Sequence, residues 1–313
     1  MKQEKIIFDL DPGVDDTMAL LVAFNEPKID LKLITTTFGN VGLKQATKNA
    51  CFVVQNWAKK DYPIYYGADH ALKAPTHDAF DVHGRTGLGT RIIAENVTKQ
   101  PSNKHGYGAA EAMRDTIMQN PGEIVIVSVG PVTNVATLFK KYQKVIKHIK
   151  KIVLMVGSMD GKGSITPYSS FNAYCDPDAV DIVLKNHKDV PLIITTKETG
   201  TTCFFDEAQR EKFGSYGKTG QFVYDLCTGY KDAILKPGQY ALHDTCALLT
   251  IIPGEEYFTR TNVNVSINTN QKDPKVGQTV FTINPLSNIS LLRTVDKPKV
   301  LAKYEEILKR TMM

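Results

Sequence analysis

The sequence predicts an α/β fold in which an open, mostly parallel (doubly wound) sheet carries helices on both faces. Between residues 6 and 196, runs of strand-forming apolar residues alternate about six times with segments of helical apolar spacing. Each strand-like run ends in a loop with glycine or polar residues, as is typical of parallel sheets with ligand sites at their carboxyl edge. With 313 residues, 42% of them hydrophobic, the chain can bury such a sheet on both sides. No linker or repeat interrupts the pattern, so we predict a single domain over residues 1–313.

The first part of the chain begins this alternation. Residues 6–8 form a short apolar strand, and Pro12-Gly13 forces a tight turn before a helical run over 17–24. The predicted elements that follow are a strand over 31–38, a helix over 43–59, a strand over 64–66, an irregular stretch over 67–108 with a helical piece near 92–95, and a helix over 109–119. Long irregular segments in compact domains are usually functional or mobile.

The second part continues the alternation and then departs from it. The predicted strands cover 124–129, 152–156 and 192–196, the predicted helices cover 133–142 and the residues from the cap Asp176 to 186, and a second irregular loop covers 157–172. Beyond residue 206, helices are predicted over 222–234, 245–252 and 300–310. Two alternating segments, 262–268 and 278–283, predict an antiparallel hairpin.

Composition restricts the classes of partner and the compartment. The net charge of +5 arises from 38 basic and 33 acidic residues spread along the chain, which gives no indication of nucleic-acid binding. The five cysteines are widely spaced without a C-x-x-C pair and are typical of buried thiols in a reducing compartment. The N-terminal residues lack a signal-peptide apolar region, and no run approaches the length of a membrane span. We therefore expect a soluble cytoplasmic protein.

Four carboxylates gather where the first strand ends. Asp9, Asp11, Asp15 and Asp16 fall within eight residues, on either side of the Pro12-Gly13 turn. So many negative charges repel one another unless a cation joins them, and hard oxygen ligands suit Ca²⁺ or Mg²⁺. A purely structural interpretation makes Asp15 or Asp16 a helix N-cap and the others solvated turn residues.

Other polar segments also close a strand or open a helix. They are Asn40, the loop His83-Gly84-Arg85-Thr86-Gly87-Leu88-Gly89, the segments Ser164 to Pro167 and Ser170 to Asn172, and the pair His243-Asp244 before an apolar helix. Each segment alone has a structural explanation as a cap or a loop. Together with the acids they form a set.

This set resembles the nucleoside hydrolase family of the inosine-uridine preferring type. The pattern D-x-D-P-G-x-D-D after an N-terminal strand is the hallmark of that family and is intact here. The resemblance extends through Thr36 to Asn40, the H-G-x-x-G-L-G loop, Val129 to Asn134, Phe171-Asn172 with Asp176-Pro177, and His243-Asp244. It implies a nucleoside-hydrolase-like fold, a small-molecule nucleoside substrate and a homodimer or homotetramer.

The resemblance also implies roles for individual residues. Asp11, Asp16 and Asp244, with the main-chain oxygen of Val129, would bind Ca²⁺. The residues implied to contact the ribose or the base are Asp15, Asn40, His83, Met155, Ser164, Ser170, Asn172 and Tyr230. Asp9 would support the turn.

Residue chemistry agrees with cleavage of an N-glycosidic bond. Such a reaction passes through an oxocarbenium-like sugar, whose positive charge carboxylates stabilise. A bound cation would acidify the attacking water, and Asp11 would accept its proton. His243 has a suitable pKa range to protonate the leaving base, with Tyr230 and Tyr240 as further candidate donors.

The second irregular loop departs from the family pattern. At two positions where the family usually has Asn and Glu near the ribose 5′-hydroxyl, this chain has Ser164 and Ser170, with Lys162 and Lys197 nearby in sequence. The 5′ end of the substrate is therefore open to alteration, unless neighbouring groups or waters replace the lost hydrogen bonds.

Two other classes of function remain alternatives. A haloacid-dehalogenase-like phosphatase also begins with a strand and D-x-D, but it requires Thr or Val where this chain has Gly13 and has no use for His243-Asp244. A non-catalytic Ca²⁺-dependent nucleoside binder would keep the acids and Asn172 but lack turnover.

Overall fold

The computed structural model describes residues 3–103, 108–254 and 256–312. The strands of the described chain are β1 (Glu4–Leu10), β2 (Ile29–Thr36), β3 (Ile64–Tyr66), β4 (Ile124–Ser128), β5 (Ile149–Met155), β6 (Leu192–Thr195), β7 (Phe204–Asp206), β8 (Gln239–Ala241), β9 (Phe258–Ile267), β10 (Thr279–Ile283) and β11 (Ile289–Val295). In this part of the chain, nine strands form one sheet in the order β10-β9-β11-β6-β5-β4-β1-β2-β3. Strands β7 and β8 form a separate antiparallel pair.

The central sheet is mostly parallel, which confirms the predicted fold class. Strand β1 pairs in parallel with β2 on one side and with β4 on the other, and β4, β5, β6 and β11 continue in parallel. Strands β9 and β10 form the predicted antiparallel hairpin, and β9 also pairs with β11 in antiparallel fashion. Because the chain leaves β1 toward β2 and later returns to its other side at β4, the loops after β1 and β4 diverge and leave a crevice.

The helices flank this sheet along the chain. They are α1 (Val14–Asn25), α2 (Leu43–Trp57), α3 (Phe80–His83), α4 (Ala109–Gln119), α5 (Thr133–Lys141), α6 (Phe171–Cys175), α7 (Pro177–Asn186), α8 (Lys197–Thr202), α9 (Glu207–Gly214), α10 (Gly217–Leu226), α11 (His243–Leu249) and α12 (Lys297–Arg310), with a 3₁₀ helix over Gln143–His148. Asp176 caps α7 as predicted, because its side chain accepts the N–H of Ala179.

Helices cover both faces of the sheet because strand residues alternate between two apolar cores. In β1, Ile6 and Phe8 pack in one core with residues of α1, α10, α11 and α12. Ile7 points the other way, into a core built with residues of α4, α5 and α7. This period of two follows from strand geometry, and burial on both faces explains why a central strand such as β4 is almost entirely apolar.

The helical piece predicted near residues 92–95 was wrong. The backbone there is irregular, and Asn96 has a φ of +52°. The Gln55 side chain hydrogen-bonds to the backbone of Asn96, Thr98 and Lys99, which holds this segment against α2. Residues 104–107 of the irregular stretch lie outside the described residues.

The helix predicted over 222–234 was also wrong in extent. Helix α10 begins at Gly217 and ends at Leu226. Gly229 has a φ of +86°, a left-handed conformation that stops a helix, and the chain then forms a loop up to β8. The predicted helix over 245–252 instead begins at His243 and ends at Leu249. Strands β7, β8 and β11 were not predicted.

The structure bears on two further expectations. Within the described residues, none of the helices combines the length and the apolar character that a membrane span requires. All five cysteines are buried free thiols.

Candidate active site

The turn after β1 places its acids in the crevice between the loops that follow β1 and β4. Asp9 lies in β1, Asp11 directly follows this strand, and Asp15 and Asp16 lie in the first turn of α1. All four acids are buried, although they flank a tight turn. A buried carboxylate is stable only where donors or cations satisfy it. The partners of each acid therefore indicate its role.

Asp9 is held inside the sheet by neutral donors. Its Oδ1 accepts hydrogen bonds from Thr35 Oγ1 and Asn134 Nδ2, both at 2.7 Å, and its Oδ2 accepts one from Ser128 Oγ at 2.9 Å. Burial raises the pKa of Asp9 to about 6, although the hydrogen bonds from Asn134, Thr35 and Ser128 oppose this. Asp9 thus ties β1 to β2, β4 and α5, which agrees with a supporting role.

Asp16 and Asn40 fix the shape of the turn. Asp16 Oδ1 accepts the N–H of Asp11 at 3.1 Å, and its Oδ2 accepts the N–H of Gly13 at 3.0 Å. The Asn40 side-chain amide donates to Asp16 Oδ2 at 2.8 Å and to the main-chain oxygen of Asp11 at 3.2 Å. The backbone of the turn is therefore bound to one carboxylate and one amide.

Asp11 presents one oxygen that has no hydrogen bond. Its Oδ2 accepts the N–H of Asn40 at 2.7 Å, whereas its buried Oδ1 has no partner among the described residues. Two glycines make room for this carboxylate. A Cβ on Gly39 would lie 2.0 Å from Asp11 Oδ2, and a Cβ on Gly130 would lie 2.5 Å from Oδ1.

Three carboxylates converge beside Asp11. Asp15, Asp16 and Asp244 each offer an oxygen, and these oxygens all lie within 4.8 Å of one another. Burial and the charge of Asp16 raise the pKa of Asp15 to about 7, despite the opposing charge of His243. Burial and the charges of Asp15, Asp16 and Asp11 raise the pKa of Asp244 well above its ordinary value.

A divalent cation fits this cluster. It would neutralise the mutual repulsion and would satisfy Asp11 Oδ1 and Asp15 Oδ1, which are both buried without partners among the described residues. The acids whose oxygens converge are Asp15, Asp16 and Asp244. The acids predicted from the sequence to bind the cation are instead Asp11, Asp16 and Asp244. The charge of Asp11 nevertheless reaches Asp244, so all four acids surround one location.

Asn172 links the ends of β4 and β5. Its Nδ2 donates to the main-chain oxygen of Val129 at 2.5 Å and to that of Met155 at 3.0 Å. Both bonds use the amide nitrogen, so the amide oxygen remains available to a ligand. The structure thus brings together Val129, Met155 and Asn172, which are three of the candidate site residues.

A cavity of about 330 Å³ opens above these residues. Eleven of the thirteen predicted site residues line it: Asp15, Asn40, His83, Val129, Met155, Ser164, Ser170, Asn172, Tyr230, His243 and Asp244. Asp11 and Asp16 are buried and do not line the cavity. Asp11 lies against the backbone of Gly39, Asn40 and Gly130, and Asp16 is bound by the N–H groups of Asp11 and Gly13. The volume suits one small organic molecule.

His83 is a neutral imidazole with a defined tautomer. The N–H of Val14 donates to His83 Nδ1 at 3.1 Å, so the ring proton is on Nε2. Burial and the charge of His243 lower the pKa of His83 to about 3. The ring lies 5.5 Å from that of Tyr230, and the two together form an aromatic wall of the cavity.

His243 has a charged partner that sequence reasoning missed. Its Nε2 lies 3.0 Å from Asp232 Oδ2. Burial by itself lowers the pKa of His243, but the hydrogen bond and charge of Asp232 and the charge of Asp15 raise it above its ordinary value. Asp232 also lines the cavity. The glycines at 229 and 238 could have indicated that Asp232 belongs to a loop and not to a helix.

The loop that departs from the family pattern also reaches the cavity. Ser170 Oγ accepts the N–H of Gly157 at 2.8 Å and can still donate its own proton. Lys197 lines the cavity with its side chain 7% exposed, and its Nζ lies 3.0 Å from Glu198 Oε1 and 3.5 Å from Asp160 Oδ1. Lys162 is exposed and does not line the cavity.

Tyr240 is turned away from the cavity. Its hydroxyl donates to Glu207 Oε2 at 2.5 Å and accepts from Arg210 at 3.2 Å. Of the two tyrosines considered as proton donors, only Tyr230 lines the cavity.

Comparison with known proteins agrees with this architecture. The model of the inosine-uridine preferring nucleoside hydrolase family matches residues 6–302. The chain is 34% identical to the probable uridine nucleosidase 1 of Oryza sativa subsp. japonica over 324 residues, covering 98% of this chain and 97% of the relative. It is 32% identical to the non-specific ribonucleoside hydrolase RihC of Salmonella paratyphi C over 278 residues, covering 89% of this chain and 87% of the relative.

A solved structure supports the fold independently. The purine-preferring ribonucleoside hydrolase from Gardnerella vaginalis superimposes with a TM-score of 0.89 over 99% of both chains, at 24% sequence identity. At that level of sequence identity, the structural similarity shows the fold alone.

We predict that Gly130→Ala weakens the binding of a divalent cation. The added methyl group would lie 2.5 Å from Asp11 Oδ1 and would displace that carboxylate. Residues that orient metal ligands typically change affinity by about 10–100-fold. Calorimetric titration measures the change, and Gly42→Ala is the matched control because its Cβ would meet nothing within 4 Å. Equal affinity in the two variants would show that Asp11 takes no part in binding the cation.

Proposed function

The chain belongs to the inosine-uridine preferring nucleoside hydrolase family, and we propose that it uses Ca²⁺ to hydrolyse the N-glycosidic bond of purine or pyrimidine ribonucleosides. Family membership confirms the resemblance seen in the sequence and makes the chain a hydrolase of N-glycosyl bonds. It decides against the phosphatase and the non-catalytic binder. The observation that carries the proposal is one cavity with an acidic cluster at its floor and His243 in its wall.

We assign the cation to Asp11, Asp16 and Asp244 with the main-chain oxygen of Val129. Four buried acids of raised pKa support a bound positive charge, and their oxygens suit Ca²⁺. A cation held there would supply acidification and orientation of the attacking water. Asp15 belongs to the same cluster and also lines the cavity, so we assign its carboxylate to the substrate.

The ribose lies over Met155 in this assignment. Asp15 accepts from a ribose hydroxyl through a carboxylate oxygen, and Asn172 accepts through its free amide oxygen. Asn40 holds the turn beneath, since its amide protons are bound by Asp16 and Asp11. A sugar fixed by carboxylate and amide groups is also stabilised as it gains positive charge.

Asp11 is the proposed general base. Asn40 N–H holds its Oδ2, and its Oδ1 is buried without a partner among the described residues, so this oxygen is oriented to accept the proton of water. His243 is the proposed acid that protonates the departing base. Neutral His83, with its Nε2 proton, and Tyr230 form the wall beside the base.

Several finer expectations belong to the same proposal. The free base would enter purine or pyrimidine salvage, and the buried free cysteines support a reducing cytoplasmic compartment. A single domain over residues 1–313 and assembly as a homodimer or homotetramer stay predictions.

The 5′ end of the substrate is the part of recognition that we expect to differ. The groups there are the hydroxyls of Ser164 and Ser170, and Lys197 is already paired with two carboxylates. Asp15 and Asp244 add negative charge to the same cavity. We therefore propose that the site tolerates an uncharged, deoxygenated 5′ carbon better than a phosphate.

We predict that activity depends on Ca²⁺. A calcium chelator should abolish release of ribose, and added Ca²⁺ should restore it. Asp11→Ala should lower kcat by about 10²–10⁴-fold, the range for loss of a general base, and should weaken Ca²⁺ binding. Asp15→Ala is the comparison variant and should raise KM while keeping most of the Ca²⁺ affinity. Full activity in excess chelator would refute the assignment.

We predict that His243→Ala impairs natural nucleosides far more than p-nitrophenyl riboside. The nitrophenolate leaves without protonation, whereas a nucleobase needs a proton, which is typically worth about 10²–10⁴-fold in rate. The measurement is kcat for inosine or uridine and for the aryl riboside. Equal losses on both substrates would mean that His243 is structural.

We predict that 5′-deoxy ribosides remain good substrates. A hydrogen bond from a neutral serine to the 5′-hydroxyl is worth about 0.5–1.5 kcal/mol, so its loss should lower kcat/KM by about tenfold at most. Ser170→Glu should increase the preference for the unmodified nucleoside over its 5′-deoxy and 5′-monophosphate forms. A strong wild-type preference for the unmodified nucleoside that Ser170→Glu leaves unchanged would disprove the proposed 5′ recognition.

A further inference from the structure

The base end of the cavity is formed by α3 and by the loop that follows α10. The N–H of Lys231 in this loop donates to the main-chain oxygen of Val82 in α3 at 3.0 Å, which joins the two segments. His83 and Tyr230, one from each segment, form the aromatic wall that we assigned to the base. Phe80, the first residue of α3, also lines the cavity and is 42% exposed. Aromatic rings therefore face the substrate at this end.

Two exposed carboxylates stand beside these rings. Asp78 and Asp81 flank Phe80 in the sequence, and both line the cavity. Asp78 Oδ1 accepts the N–H of Phe80 at 3.3 Å, whereas Asp81 accepts no hydrogen bond from a described residue. Neither acid has an ion-pair partner in the part of the chain that the structure describes. Their negative charges are therefore available to a ligand in the cavity.

The positive groups of the cavity wall are already paired. Lys197 is the one lysine or arginine among the described residues that line the cavity, and its Nζ lies 3.0 Å from Glu198 Oε1 and 3.5 Å from Asp160 Oδ1. His243 Nε2 lies 3.0 Å from Asp232 Oδ2, so that carboxylate offsets any charge on the imidazole. At the floor, the carboxylates of the acidic cluster outnumber the positive charges of a divalent cation. The cavity therefore keeps a negative potential that attracts a cationic ligand.

We propose that this site also hydrolyses ribosides whose base carries a permanent positive charge, as in N7-alkylated purine ribosides and N-ribosylpyridinium compounds. The inference rests on the proposed function, since the same cavity must cleave the bond between ribose and base. The cationic ring lies against the aromatic faces of Phe80 and Tyr230, which attract a cation through their π systems. Asp78 and Asp81 attract the same charge from the cavity wall.

The reaction of a cationic riboside requires no proton on the leaving base. The electron pair of the C1′–N bond stays on the ring nitrogen, which loses its positive charge, so the base leaves as a neutral molecule. Water adds its hydroxide to C1′, and its proton goes to Asp11 and then to solvent. A neutral nucleoside instead needs a proton on its base, and the proton on His243 Nε2 is bound to Asp232. A cationic base leaves without breaking that hydrogen bond.

The position of the positive charge during the reaction determines which kinetic constant the acids affect. The charge starts on the base and passes to the ribose as the oxocarbenium-like transition state forms. Asp78 and Asp81, at the base end, therefore stabilise the bound substrate at least as much as the transition state. Removal of their charges should raise KM for a cationic riboside without lowering kcat.

Two pairs of ribosides test the inference with the Ca²⁺-loaded protein. 7-Methylguanosine, which has a cationic base at mildly acidic pH, is compared with guanosine, and N-ribosylnicotinamide is compared with uridine. In each pair the cationic riboside should have a KM about three- to tenfold lower than its neutral partner, because an exposed charge is worth up to about fivefold and two are present. High salt should reduce this difference by screening. The pair that shows it identifies the purine or the pyridinium ring as the preferred cation.

The variant Asp78→Asn/Asp81→Asn should remove most of this difference by raising KM for the cationic ribosides, with kcat unchanged. Both positions are exposed, so the double variant should unfold at the wild-type temperature. Asp189→Asn is the matched control, because it removes a carboxylate from the turn between α7 and β6, at the amino end of the sheet. It should keep the wild-type ratio of KM values.

The outcomes separate this inference from the proposed function. If neutral nucleosides are hydrolysed but neither cationic riboside is, the inference is wrong and the proposed function stands. The inference is also wrong if Asp78→Asn/Asp81→Asn and Asp189→Asn change the ratio of KM values equally, or if salt leaves that ratio unchanged. If none of the four ribosides releases ribose, the proposed function itself fails.

Discussion

The repulsion among four buried carboxylates is the constraint on which the rest of the site depends. Asp11 follows β1, Asp15 and Asp16 begin α1, and Asp244 lies in α11. Burial raises the pKa of each, and the charges of neighbouring acids raise it further at Asp11, Asp15 and Asp244. The fold holds them together through backbone N–H groups, Asn40 and the apolar packing of α1 and α11 behind them. The free energy of apolar packing thus offsets the repulsion among these carboxylates, which only a bound cation would fully remove.

The two histidines of the cavity show how neighbours assign opposite states to one residue type. His83 accepts a backbone N–H and has its pKa lowered to about 3, so it is neutral at every physiological pH. His243 contacts Asp232 and has its pKa raised above the ordinary value. Groups whose environments separate their pKa values in this way divide the work of binding and proton transfer.

Loops around the sheet, and the residues beside them, supply the part of the cavity that lies outside the acidic cluster. The acids and Asn172 stand on the turn after β1 and on short helices around the sheet, whereas Ser164, Lys197 and Asp232 lie on or beside loops at the cavity. Lys197 is neutralised by Asp160 and Glu198, which are themselves bound by Ser158. A rigid scaffold with variable loops allows substrate preference to differ among proteins that cleave the same bond.

The sequence by itself determined the class of fold, the acidic turn and the antiparallel hairpin, because these follow from local periodicity and turn chemistry. The intact family pattern also named eleven of the residues that line the cavity. It did not determine that α10 stops at Leu226, that Gln55 holds the segment around Asn96, or that Asp232 meets His243. Each of these depends on groups brought together from distant positions by packing, for which a single sequence carries no local signal. The tertiary structure alone decided the protonation partners of the site, since burial and charge at a residue are properties of its neighbours in space.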